Sequence, residues 1–168
     1  MTIDNSKGNH QSPIINCQIP HNWDDYYGYR QLTHGNLHGT TMYVKDFSLD
    51  NCPLSTVNSQ LKKRYFLRFE GVGTYATIKV NGHDFGRYPV GRTTLTLDVT
   101  NALKQGTNRL EVKAEHPEMI ADMPWVCGGC SSEWGFSEGS QPLGIFRPVV
   151  LEATDEIRIE PFGVHIWN

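Results

Sequence analysis

Residues 64–70 and 75–80 each follow a period of 2, and an Asn-Gly pair stands directly after the second run at 81–82. No other feature restricts the fold of this chain as tightly. A strand sends successive side chains to opposite faces, so period 2 buries one face and wets the other. In residues 64–70, Tyr65, Leu67 and Phe69 share one face and Phe66 takes the other. In residues 75–80, Ala76, Ile78 and Val80 alternate with Tyr75, Thr77 and Lys79. Asn81-Gly82 suits a type I′ turn, because both central positions need positive φ. The pattern predicts a hairpin that returns through residues 83–88.

The same rhythm recurs along the chain. Leu95, Leu97 and Val99 alternate with Thr94, Thr96 and Asp98, and Leu110, Val112 and Ala114 repeat the pattern after Gly106. Between them, residues 100–105 read as one short helical turn, with Thr100 as N-cap and Gly106 as stop. Tyr43, Lys45 and Phe47 predict a strand before a loop around Pro53, and residues 148–153 predict another. Ile157 and Ile159 mark a further strand, and residues 164–167 end the sheet or begin a linker. Many short strands, Gly- and Asn-rich turns and no amphipathic helix of useful length point to an all-β fold. The expected architecture is an antiparallel β-sandwich.

Composition narrows the function. At 168 residues the chain fits one domain, since two cores of ~80 residues each would call for staples. Fifteen Lys and Arg against 18 Asp and Glu give a net charge of −3. With no basic excess to neutralise phosphates, nucleic acid is not expected as a partner. No apolar run approaches the ~20 residues of a membrane span. Residues 1–11 are polar and carry one lysine, which does not read as a signal peptide. A piece of a larger precursor would look the same, so the compartment stays open. Four cysteines are too few for a disulfide scaffold.

Two segments break the rhythm. Residues 17–37 are rich in aromatics, His and Asn without a period, and residues 115–143 hold Trp125, Trp134 and the Cys127–Cys130 pair. Loops beyond ~12–15 residues are uncommon in compact domains and are often functional.

Several motifs occur together in a fixed order. They are Ile19-Pro20-His21-Asn22-Trp23, Arg68-Phe69-Glu70-Gly71-Val72 and Val80-Asn81-Gly82 with Gly86. Leu97-Asp98-Val99-Thr100 with Leu103 follows, then Gly106-Thr107-Asn108-Arg109-Leu110 and Gly144-Ile145-Phe146-Arg147-Pro148-Val149. In this combination the chain resembles the N-terminal sugar-binding domain of glycoside hydrolase family 2, which includes β-galactosidases, β-glucuronidases and β-mannosidases. The resemblance runs from about Ile19 to Ile166. It divides the chain into an N-terminal extension, 1–18, and a sugar-binding domain, 19–168, with a long loop at 115–143. It implies a jelly roll of the galactose-binding type that is not itself the catalyst. In the family an immunoglobulin-like sandwich and a (β/α)₈ barrel follow, and the barrel carries the reactive glutamates. These domains and a carbohydrate are the implied partners, and the leading expectation is β-galactosidase-like. Three departures stand out: no counterpart of the family's opening "L-N-G-x-W-x-F" strand precedes Pro13, the family's glycine-rich turn before the "F-D-I-T" strand is here Val90-Gly91-Arg92-Thr93-Thr94, and residues 126–142 are longer than in common members.

Retaining glycoside hydrolysis needs two carboxyl groups ~5–5.5 Å apart across the scissile bond. Glu70, Glu111, Glu115, Glu118, Asp122, Glu133 and Glu138 are present, but no motif marks any of them as nucleophile or acid. No catalytic residue is expected in this chain. Sugar contact is the better expectation, since aromatic rings take sugar C–H faces and carboxylates take hydroxyl hydrogens. By resemblance, Asp122 in Asp122-Met123-Pro124-Trp125 matches an aspartate that completes the family's substrate pocket. Arg92, six residues before Asp98, matches an arginine of several β-galactosidases. Asp122, Trp125, Arg92, Trp134 and Glu133 form the candidate substrate-binding set. Against this stands a structural reading, in which both tryptophans pin the loop and Asp122 caps a turn. Arg147 is expected in a buried ion pair, and His21, His34 and His38 on backbone groups. Cys127-Gly128-Gly129-Cys130 has no second Cys-x-x-Cys, whereas a structural zinc needs four ligands. It reads as free thiols in a tight turn or as a loop disulfide. No cofactor or metal is expected. A self-standing carbohydrate-binding module or lectin is the alternative function, and a purely structural interaction domain is a third.

Overall fold

The computed structural model describes residues 2–4, 15–23, 38–50, 63–117, 119–120, 130–131 and 142–167. The period-2 segments form strands, as expected. A six-stranded sheet is built from β1 (Thr2–Asp4), β2 (Ile15–Asn16), β3 (Gly39–Ser48), β5 (Tyr75–Val80), β6 (His83–Tyr88) and β8 (Thr107–His116). Its order is β2-β1-β3-β8-β5-β6. Facing it, β4 (Arg64–Phe69) lies between β11 (Val149–Thr154) and β7 (Leu95–Asp98). A two-residue ladder joins β9 (Met119–Ile120) to β10 (Cys130–Ser131). Every strand pair is antiparallel. The fold is the all-β sandwich that the alternation predicts.

The core lies between the two larger sheets. Tyr65, Leu67 and Phe69 face Ala76, Ile78, Val80, Leu110, Val112 and Ala114, all buried. Fully burying one such Val, Leu, Ile or Phe side chain is worth roughly 1.5–3 kcal/mol, so this shared interior is the main stabilising term. The hairpin forms at the predicted place, with φ of 51° at Asn81 and 82° at Gly82. A bulge between Ile78 and Lys79 then shifts the return strand by one residue.

Two of the sequence motifs meet through their asparagines. Asn81 Nδ2 donates to Asn108 Oδ1 at 2.8 Å and to the Ala102 carbonyl at 2.8 Å. Asn108 is fully buried, and its own Nδ2 donates to the Lys104 and Gly106 carbonyls. Its Oδ1 also accepts the Lys104 N–H at 2.9 Å. A buried amide is tolerated when its donors and acceptors are matched in this way.

Four local expectations are corrected. The helical turn covers only Thr100–Ala102, Val99 is its N-cap residue, and Leu103 is already extended. Thr100 therefore stands inside the turn, where its hydroxyl accepts the Tyr65 N–H at 2.9 Å and ties the turn to β4. Gly106 belongs to the bend before β8, where its carbonyl accepts the Leu49 N–H. Ile157 and Ile159 form no strand and are 87% and 73% exposed. After Thr154 the chain instead crosses the outer face of the small sheet, held by a 2.5 Å Lys63–Asp155 ion pair and by Arg158 on the Phe66 ring. Arg147 is exposed rather than buried in an ion pair; its Nη1 donates to the Arg92 carbonyl at 3.4 Å. For His21 the described partner of the ring is a side chain, the Tyr43 hydroxyl at 2.9 Å, where a backbone group was expected.

Candidate functional site

The segment flanked by Glu115 and Leu143 leaves from and returns to one end of the sandwich. On the outgoing side, β8 stays paired to its last residue, His116 opposite Gly39. The His116 ring is fully buried, 5.2 Å from that of His38. On the returning side, residues 143–145 are gripped from both flanks by main-chain bonds. His21 N–H donates to the Ile145 carbonyl at 2.7 Å and Trp23 N–H to the Leu143 carbonyl at 2.8 Å. Gly73 N–H donates to the Gly144 carbonyl at 2.7 Å, and Leu143 N–H donates to Asn22 Oδ1 at 3.1 Å. The Pro-His-Asn-Trp motif and the Gly71–Gly73 bend are thus two jaws of one clamp, closed on the Gly-Ile-Phe-Arg motif.

Gly144 is required at the centre of this clamp. Its φ is +132°, and a Cβ there would meet the Tyr43 hydroxyl and lie 2.7 Å from the His21 carbonyl oxygen. Tyr43 is fully buried, and burial pushes its hydroxyl above the usual phenol range. The group therefore stays neutral and serves as a hydrogen-bond partner of His21 rather than as a proton source. Phe146 closes over the backbone at Gly71, where an added Cβ would come within 2.9 Å of its ring.

Arg92 is half-buried in the turn after the Val72–Gly91 bridge. Through the bond from Arg147 to its carbonyl, this turn abuts the returning segment. Of the expected substrate-binding set, Arg92 is the member that the structure brings to the loop's end of the sandwich. Asp122, Trp125, Glu133 and Trp134 lie outside the described residues, as do Cys127, His34, Pro53, Glu118 and Glu138. Cys130 is described only as backbone in β10.

The described carboxylates near this end are matched by cations. Glu115 Oε2 accepts from Arg87 Nε at 3.2 Å, and Glu115 Oε1 lies 3.1 Å from Lys113 Nζ. Arg87 in turn lies 3.6 Å from the centre of the Tyr75 ring. Glu70 pairs with Arg68, and Glu111 lies 3.9 Å from Arg109. Sequence reasoning missed the His21–Tyr43 contact and the Lys113–Glu115–Arg87 cluster. The second was within reach, because the strand phases put Lys113, Glu115 and Thr77 on one outer face.

Residues 24–123 match the family described as glycosyl hydrolase 2 galactose-binding domain-like. A beta-glucuronidase of Bacteroides fragilis is 34% identical over 100 residues, which cover 59% of this chain and 13% of that protein. A beta-galactosidase of Actinobacillus pleuropneumoniae is 24% identical over 151 residues, 87% of this chain and 14% of that one. The crystal structure of a beta-glycosidase from Bacteroides vulgatus superposes with a TM-score of 0.58 at 26% identity, covering 90% of this chain and 18% of that one. The chain thus spans less than a fifth of the length of each of these proteins.

Proposed function

Because the chain belongs to the galactose-binding-like domains of glycosyl hydrolase family 2, we propose that it is the non-catalytic N-terminal sandwich of a longer β-glycosidase. Residues 19–168 act as the domain, with residues 1–18 as an extension of it. The domain packs on an immunoglobulin-like sandwich and a catalytic barrel that carries the nucleophile and acid/base glutamates. Its contribution to chemistry is the loop at 115–143, lent to the rim of the substrate cleft. Asp122 and Glu133 take sugar hydroxyls there, Trp125 and Trp134 offer ring faces, and Arg92 flanks them. The parent enzyme hydrolyses β-glucuronides or β-galactosides, in keeping with the names its relatives carry.

The observation that carries this reading is the clamp on residues 143–145. Backbone bonds at the stem fix where the segment rejoins the sandwich. Substrate positioning needs that kind of placement, since small displacements of a positioning group cost rate steeply. The matched carboxylates agree with a domain that leaves the reaction to other residues.

The test uses the parent enzyme with Asp122→Ala and Arg92→Ala, assayed on aryl β-glucuronide and aryl β-galactoside. At least about a tenfold fall in kcat/KM is expected on the preferred substrate, with the melting temperature unchanged. Unaltered kinetics in both variants would remove the loop from the cleft. Turnover by the 168-residue chain alone would overturn the non-catalytic assignment.

A further inference from the structure

Asn81-Gly82 is the single Asn-Gly pair in the chain, and besides making a turn it carries a latent reaction. In a flexible peptide the glycine nitrogen reaches the asparagine Cγ readily, because no Cβ on the glycine stands in the way. That nitrogen gives up its proton and attacks, the Cγ–Nδ2 bond breaks, and ammonia leaves a cyclic imide behind. Water then opens the imide to aspartate or isoaspartate. One water enters, one ammonia departs, and nothing is oxidised or reduced.

The native turn leaves this reaction open on one side and closed on the other. Gly82 is exposed, and nothing lies within 4 Å of where its Cβ would be. The Asn81 carboxamide, in contrast, is held at both ends. Its Nδ2 donates one hydrogen to Asn108 Oδ1 and the other to the Ala102 carbonyl, each at 2.8 Å. Its Oδ1 accepts the Arg109 N–H at 2.9 Å. The Asn81 main chain is tied to the same residue, since its N–H donates to the Arg109 carbonyl at 2.8 Å. Swinging the carboxamide onto the Gly82 nitrogen breaks all three side-chain bonds.

Asn108 is not free to follow such a movement. It is fully buried, and its amide is oriented by three further bonds. Nδ2 donates to the Lys104 and Gly106 carbonyls, and Oδ1 accepts the Lys104 N–H. Reversing this amide would face donor with donor and acceptor with acceptor at all three. The atom that Asn108 presents to Asn81 is therefore fixed as an acceptor.

That orientation decides what a product would meet. Aspartate at position 81 keeps the oxygen that takes the Arg109 N–H. Its second oxygen, however, stands in place of Nδ2 and points at two acceptors, Asn108 Oδ1 and the Ala102 carbonyl. A carboxylate has no hydrogen to give them. Isoaspartate in addition lengthens the main chain by one methylene inside a two-residue turn, whose geometry sets the register of β5 and β6.

We propose that Asn81 is a gated deamidation site, closed in the native hairpin by Asn108 and irreversible once crossed. The reaction waits on local opening of the turn. Each event leaves a hairpin that no longer closes in its original form, so repeated opening is converted into a permanent chemical mark. The gate is independent of the role assigned to the 115–143 loop.

The test follows the tryptic peptide Val80–Arg87, released by cleavage after Lys79 and Arg87, by mass spectrometry. In mildly alkaline buffer the folded 168-residue chain is expected to deamidate about a hundredfold more slowly than the same chain in urea, since three side-chain bonds must open first. Asn108→Ala should raise the rate in buffer about tenfold, read where circular dichroism shows the variant folded. Asn81→Asp installs the product without the reaction. Relative to wild type at the same pH, its urea midpoint should fall at neutral pH and recover in part in acid, where the protonated carboxyl again has a hydrogen to donate. Equal rates in buffer and in urea would overturn the proposal, as would a folded Asn108→Ala that deamidates no faster than wild type. An Asn81→Asp chain as stable as wild type at neutral pH would overturn it too, by showing that the product fits the turn.

Discussion

Gly144→Ala probes the clamp directly. At φ +132° an L side chain is strained before any contact is counted, at a cost of about 1–3 kcal/mol. The added methyl also has nowhere to go. One neighbour, the His21 carbonyl oxygen, would lie 2.7 Å from it, and that oxygen is backbone whose own N–H is bonded to the Ile145 carbonyl. The other is the hydroxyl of Tyr43, which is fully buried and hydrogen-bonded to His21. Neither can retreat without breaking a bond, so overpacking adds a further ~1–3 kcal/mol. The two effects together predict a loss of about 2–6 kcal/mol in unfolding free energy. Urea denaturation followed by tryptophan fluorescence reads this as a fall of roughly 1–3 M in midpoint, for a slope of ~2 kcal/mol/M. A midpoint within about 0.3 M of wild type, with the slope unchanged, would refute the claim that Gly144 is fixed by its neighbours. As an internal control, Gly82→Ala has only the strain of φ +82°, since nothing lies within 4 Å of its added Cβ. It should cost clearly less.

Two further predictions concern stability. Asn108→Ala removes the hub that joins Asn81, Lys104 and Gly106; unpaired buried groups of this kind cost about 2–4 kcal/mol in total. Thermal unfolding checks it, and a loss under ~0.5 kcal/mol would mean that water replaces the amide. Asp98 bears on acid stability. Burial works to raise its pKa, but hydrogen bonds from the Thr100 hydroxyl and amide and from Arg64 outweigh that and hold it below the usual carboxylate range. A depressed folded pKa gives stability that is present above the unfolded value of ~3.9 and is lost as pH falls through the folded one. Asp98→Asn should therefore flatten the acid limb of the stability profile below about pH 4. An unchanged limb would assign acid sensitivity to other carboxylates.

Most of the sandwich was legible because its cause is local. Tyr65, Leu67 and Phe69 declare a buried face by alternation alone, and Asn81-Gly82 declares its turn by the φ it tolerates. The misreadings share another origin. Ile157 and Ile159 alternate like a strand, yet strand formation needs a neighbour to pair with, and among the described residues no strand pairs with this segment. Thr100 has the chemistry of an N-cap, but the Tyr65 N–H across the sheet claims its hydroxyl. Arg147 lies two residues after the buried Ile145, and only the tertiary path of the chain exposes it. At the end of the sandwich where Arg92 and the stems of the 115–143 segment stand, the His21–Tyr43 contact could not be foreseen, because it depends on where the aperiodic residues 17–23 meet the sheet.

Three of the four bonds that grip residues 143–145 join main-chain atoms on both sides, and the fourth uses the side chain of Asn22 rather than any group inside the excursion. The clamp therefore reads almost nothing of what lies between its ends. Insertions, deletions or wholesale replacement within that excursion should leave the host barely disturbed. The domain is in this sense a socket for grafting, able to carry foreign specificity loops on an unaltered frame.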